Sequence, residues 1–139
     1  MRTGGAIAAL VLLSGCASTG GARTTATLST VSTASASQSY IAALQGGVVS
    51  RLPGGMTLGN ADRQRALEAE YRALEAAPGG QPVTWQSQSV SGSVVAAAPY
   101  QVGSQNCRQY SHTVTSAGQQ SVARGAACRN PNGSWTPLT

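Results

Sequence analysis

The chain has no lysine, no phenylalanine, one histidine and only four acidic residues among 139. Three of these shortages each close a class of function. Without lysine there is no Walker A loop, because that motif needs an ammonium group at the phosphates. His112 is the only imidazole, and neither a CxxC nor an HxxxH spacing occurs, so the ligands of a zinc site cannot be assembled. Asp62, Glu68, Glu70 and Glu75 all fall in one short segment. Carboxylates for glycoside hydrolysis would therefore come from one exposed helix face, which cannot hold them across a bond. No metal, cofactor or catalytic residue is expected. Long apolar runs are missing too, and none approaches the ~20 residues that cross a bilayer.

What is present begins at the N-terminus. Arg2 and the apolar stretch Ala6–Leu13 have the form of a signal peptide over residues 1–15. Gly4, Gly5 and Gly15 around that stretch disfavour a buried helix or strand instead. Leu13-Ser14-Gly15-Cys16 resembles the bacterial lipobox, in which the cysteine thiol takes a lipid and the chain is cut just before it. Cys16 is thus the expected lipidation site and first mature residue, and two or more acyl chains anchor stably. Ala17, rather than an aspartate, follows it and favours the outer over the inner membrane. With Cys16 acylated, Cys107 and Cys128 remain as a pair in a compartment that permits disulfides.

Residues 16–40 are mostly Ser, Thr, Ala and Gly and read as a disordered tether, with a mean reach of roughly 27 Å. Residues 41–59 form a glycine-rich lead-in. Gly47, Gly55 and Gly59 lie on a four-residue frame of the kind that brings membrane helices together, but Arg51 and Pro53 break it. From 60 to 139 an α+β domain is expected: one amphipathic helix packed on a small antiparallel β-sheet. Asn60 is placed to cap the helix, Asp62 to complement its dipole, and Pro78-Gly79-Gly80 to end it. Leu67, Tyr71 and Leu74 make its apolar stripe, and Glu68 and Arg72 are spaced to pair on the outer face. Strands are read in "PVTWQSQS", "SGSVVAAAPYQV", the cysteine-bounded stretch and the segment holding Trp135.

A two-residue turn at Ala117-Gly118 predicts a register for the cysteine-bounded hairpin. Ser116 faces Gln119, Thr115 faces Gln120, Tyr110 faces Gly125, and Cys107 lands opposite Cys128 in a non-hydrogen-bonded pair about 4.5 Å apart. That spacing suits a disulfide. A bridge closing a loop of about 20 residues contributes roughly 3 kcal/mol, a large share for a foldable part of roughly 80 residues. The pair reads as a structural staple.

The candidate binding surface is Trp85, Tyr100, Tyr110 and Trp135 with Arg108 and Arg124; core packing claims at least two of the aromatics. Arg108 and Arg124 fall on opposite sheet faces, which spoils a basic stripe and argues against nucleic acid. His112, mid-strand, reads as a surface residue rather than a base.

Together "LGNADRQRALEAEYRALE", "PVTW" and "YQVGSQNCRQYSHTV…QSVARGAACRNPNGSW" resemble the C-terminal domain of the rickettsial seventeen-kilodalton surface antigen family, over about Leu58 to Leu138. The resemblance implies a lipid-anchored outer-membrane protein with a small α+β domain and no enzyme activity. Members of that family carry a long glycine zipper before the helix; here only the broken frame from Gly47 to Gly59 remains. The expected function is a non-enzymatic outer-membrane lipoprotein with an envelope-structural or surface-antigen role. The alternatives are a periplasm-facing inhibitor or binding module acting on a hydrolase or on peptidoglycan, and a hydrolase built on His112. Expected partners are the membrane, through the anchor, and peptidoglycan or another envelope protein.

Overall fold

The computed structural model describes residues 31–139. The expected signal peptide, Cys16 and most of the expected tether lie outside the described residues. The element order is α1 (Val31–Ala43), two short 3-10 segments (Val48–Arg51 and Pro53–Gly55), α2 (Asn60–Glu75), then β1 (Pro82–Gln86), β2 (Val90–Ala96), β3 (Tyr100–Val102), β4 (Gln105–Ser116), β5 (Gln119–Arg129) and β6 (Trp135–Pro137). The strands form one antiparallel sheet of order β1-β2-β4-β5-β6, with β3 paired to β4 beyond the point where β2 leaves it. This is the α+β arrangement expected. No helix among the described residues is long and apolar enough to cross a membrane.

The β4–β5 hairpin is the backbone of the sheet. Ala117 and Gly118 both take positive φ, 49° and 76°, as a tight primed turn requires. The register runs without a bulge from Ser116↔Gln119 through Tyr110↔Gly125 to Cys107↔Cys128, which is the pairing the turn and the spacing predict. Cys107 and Cys128 are bonded to each other, with Cα atoms 4.0 Å apart. Side chains alternate across this register. Arg108, Tyr110, His112 and Val114 of β4 face α2, whereas Gln109, Ser111 and Thr113 face away.

Helix α2 lies on one face only. It buries Ala66, Leu67, Ala69, Glu70, Ala73 and Leu74, a wider stripe than Leu67, Tyr71 and Leu74 alone, because four alanine-sized or larger positions close up against the strands. Its N-cap is Gly59, without a side-chain bond; Asn60 is already helical and does not cap, a correction of the sequence reading. Glu68 accepts a hydrogen bond from Gln64 one turn back rather than pairing with Arg72.

Two boundaries also move. Val31–Ala43 is helical, so the segment read as tether through residue 40 is structured at its end. Its sequence has neither glycine nor proline to interrupt a helix, and Tyr40 stacks on Tyr71 of α2 with centroids 5.5 Å apart. The lead-in after it is part of the core rather than an approach to it. Leu44, Val48, Val49, Leu52 and Leu58 are all buried against α2 and the sheet. With large side chains scarce, the sheet gains from every apolar side chain that can cover it.

The disulfide ties the two longest strands across a sequence separation of 21. Replacing both cysteines with serine is expected to cost about 3 kcal/mol of unfolding free energy. An unchanged thermal midpoint in the double variant would show that the bridge does not stabilise the fold.

Candidate functional site

Between α2 and the sheet sits a chain of polar side chains that the sequence reading did not assemble. Glu70, at the centre of the buried stripe of α2, is completely inaccessible, as is His112 on β4. The Glu70 carboxylate accepts from the backbone N–H of Val48 at 3.1 Å and of Val49 at 2.9 Å. It also accepts from the Tyr110 hydroxyl at 3.3 Å and meets His112 Nδ1 at 2.8 Å. On the far side of the imidazole, Trp85 Nε1 lies 2.7 Å from His112 Nε2.

The protons follow from donor chemistry. An indole N–H only donates, so Nε2 of His112 must accept and carries no hydrogen. The proton of this neutral imidazole is therefore on Nδ1, where it is donated to Glu70. With four donors around it the carboxylate is satisfied in its charged form, as a buried charge must be. The Tyr110 phenol is pushed far above its ordinary value, by burial first and then by the adjoining Glu70 charge, so it remains a donor.

Close approach makes this chain of contacts feasible. A Cβ at Gly92, directly opposite Trp85, would overlap the indole, so glycine there lets the ring lie across β2 to reach β4. Gly47, at φ 59°, sits so near Glu70 that any side chain would collide with the carboxylate. Gly125, opposite Tyr110, leaves room for Val48, whose Cγ1 would lie 2.6 Å from an added Cβ.

Arg108 has a different task. It is buried without a carboxylate, and its guanidinium donates to the carbonyls of Ala73, Leu74 and Ala77 at 2.9–3.0 Å. It also donates to Ala97 at 2.8 Å and Ala96 at 3.4 Å. It thus satisfies the open carbonyls at the end of α2 and sets a positive charge against the negative end of the helix dipole. Burial lowers its pKa from the ordinary value.

Glu75, the last residue of α2, stands where a negative charge is unfavourable. Arg129 of β5 compensates with two bonds, at 2.8 and 2.9 Å, and Trp135 Nε1 adds a third at 2.8 Å. The Arg129 bonds hold the Glu75 carboxyl below the usual carboxylate range, against a smaller opposing effect of burial.

Most of the candidate surface is therefore interior. Trp85, Tyr110, Trp135 and Arg108 are buried because each supplies a donor that the inner layer requires. His112 is likewise interior, not a surface residue, and both of its ring nitrogens are engaged. A histidine so held reaches no substrate. Glu70 is equally enclosed, so the acids of α2 do not share an exposed face. Tyr100 and Arg124 are exposed. Among the described residues no cluster of three His, Cys, Asp or Glu side chains could hold a metal.

The opposite sheet face is uncovered by the described helices. Thr84, Gln86, Ser91, Ser93, Thr113 and Gln120 line a hollow of about 430 Å³ on it. A neighbouring hollow of about 600 Å³ lies beside Arg124, with Val95, Ala97, Gln109, Ser111 and Ala126 around it.

This geometry sits in a stretch with known relatives. Residues 72–136 match the family described as "17 kDa outer membrane surface antigen". Over its C-terminal region this chain is similar to the 17 kDa surface antigens. It is 42% identical over 77 residues to the 17 kDa surface antigen of Rickettsia bellii, an alignment spanning 53% of this chain and 48% of the relative. With those of Rickettsia conorii and Rickettsia prowazekii the identity is 40% and 37% over the same length and shares of each chain. The aligned part is about half the length of these surface antigens. No solved structure matches.

Two outcomes test the interior assignments. Glu70→Gln keeps the side chain's size but turns an acceptor into a donor facing donors, and chemical denaturation is expected to show a loss of about 3 kcal/mol. A near-neutral change would mean the carboxylate is not the common acceptor. The lowered Glu75 pKa gives a sign for acid: its contribution is complete above the ordinary carboxylate range and lost as pH falls through the lowered native value. Glu75→Gln is expected to flatten the acid limb of the stability–pH curve, and an unaltered limb would contradict the assignment.

Proposed function

We propose that the chain is a non-enzymatic, lipid-anchored protein of the bacterial outer membrane with a surface-antigen or envelope-structural role. Similarity to the 17 kDa surface antigens supports the role and the location. One structural observation carries the non-enzymatic part. The groups that chemistry would recruit, His112, Glu70 and the two cysteines, are each bound within the fold. What remains for contact is the polar sheet face, which suits a domain that presents a surface rather than a reaction centre. In this reading Cys16 takes the lipid and residues 17–30 lead from the membrane to α1.

Anchoring and orientation are separable by experiment. In a bacterial host, Cys16→Ser is expected to accumulate an unprocessed precursor without acyl chains, read by mass spectrometry; normal maturation would rule out the lipid anchor. An epitope placed after Thr139, followed in protease-treated intact cells against a lysed control, decides exposure. Loss from intact cells supports the surface-antigen role, whereas survival until lysis turns the domain inward, toward the envelope-structural one.

A further inference from the structure

The two hollows on the uncovered sheet face form one continuous surface. Ser91, Ser93 and Val95 follow one another on β2, and Ser111, Thr113 and Thr115 lie across from them on β4. The surface is rich in hydroxyl and amide groups and carries one formal charge, Arg124. That guanidinium is exposed, and no carboxylate reaches it among the described residues. All four acids of the sequence lie on α2, behind the sheet. Tyr100, which pairs with Cys107, brings an exposed ring to the same face at its far end.

The geometry points to a glycan bearing carboxylates as the occupant of this face. Serine, threonine and glutamine side chains both donate and accept, which matches sugar hydroxyls and acetamido groups. Arg124 offers a two-pronged donor set for one carboxylate. The Tyr100 ring offers an apolar plane on which a sugar ring can rest.

Charge disfavours the other occupants. A second copy meeting this face across a two-fold axis would bring Arg124 toward an identical face that has no acid. An anionic membrane gains too little from a single arginine to dock a domain. Nucleic acid is held by several cations along its phosphates, and one is present. A glycan needs only the single guanidinium, because the hydroxyl-rich remainder of the face supplies the other contacts.

This inference deepens the envelope reading by giving the domain a partner, and it can fail while that reading stands. The test uses the full chain in detergent and isothermal titration with two soluble probes. One is the disaccharide of N-acetylglucosamine and N-acetylmuramic acid, whose lactyl group carries a carboxylate; the other is a chitin oligomer, which carries none. The acidic probe is expected to bind at least tenfold more tightly, and Arg124→Gln to erase that preference with no change in thermal midpoint. Thr113→Val is expected to weaken both probes alike. Absence of binding, a preference that survives Arg124→Gln, capture by phosphatidylglycerol vesicles in place of the glycan, or burial of the face by self-association in sedimentation would each overturn the assignment. Loss of glycan binding by a correctly lipidated chain removes only this inference; an unlipidated chain that binds removes only the anchor.

Discussion

The buried carboxylate of Glu70 is the constraint around which the domain is arranged. A charge taken out of water must be met by donors from every side, and here they come from two separate parts of the chain, with a third acting through one of them. The backbone at Val48 and Val49 belongs to the segment before α2, while Tyr110 and His112 belong to β4. Trp85 of β1 completes the set at one remove by selecting the histidine tautomer. Helix, preceding segment and sheet are therefore held in one relative position. Apolar contacts alone are less directional, since packing of similar volume tolerates exchange.

The small residues around this centre have their meaning from it. Gly92 lets an indole cross a neighbouring strand, and Gly125 receives a valine from the lead-in. Gly47 turns beneath the carboxylate at a distance no side chain permits. Arg108 and the Glu75–Arg129–Trp135 group finish the far end of α2, one by capping carbonyls and the other by neutralising an acid placed at the wrong pole of the helix. Titratable groups that in another fold would do chemistry are thus spent on orientation. The consequence for function is a domain with a closed interior layer and an open sheet face.

That division separates two kinds of residue in the stretch shared with the 17 kDa surface antigens. Trp85, Arg108, His112, Cys107, Cys128, Arg129 and Trp135 all lie in the matched region and all act within the fold. The exposed positions, with Arg124 among them, are where the proposed glycan would be recognised.

The local elements were legible in the sequence because their signals are local. A turn dipeptide and a cysteine spacing determine the hairpin register, since one residue's slip would turn every side chain to the other face. Periodicity and breakers place α2 within about two residues of its observed ends. The interior network was not legible, although it left traces: Glu70 interrupts the apolar stripe at its centre, and Arg108, Tyr110 and His112 alternate onto one face of β4. An acid on a helix and a histidine on a strand ordinarily point to solvent, and nothing nearby in sequence reverses that. Only tertiary structure brings Glu70 and His112, 42 positions apart, to 2.8 Å. It also folds the lead-in against α2, because the backbone donors of Val48 and Val49 find their acceptor there and nowhere in their own segment.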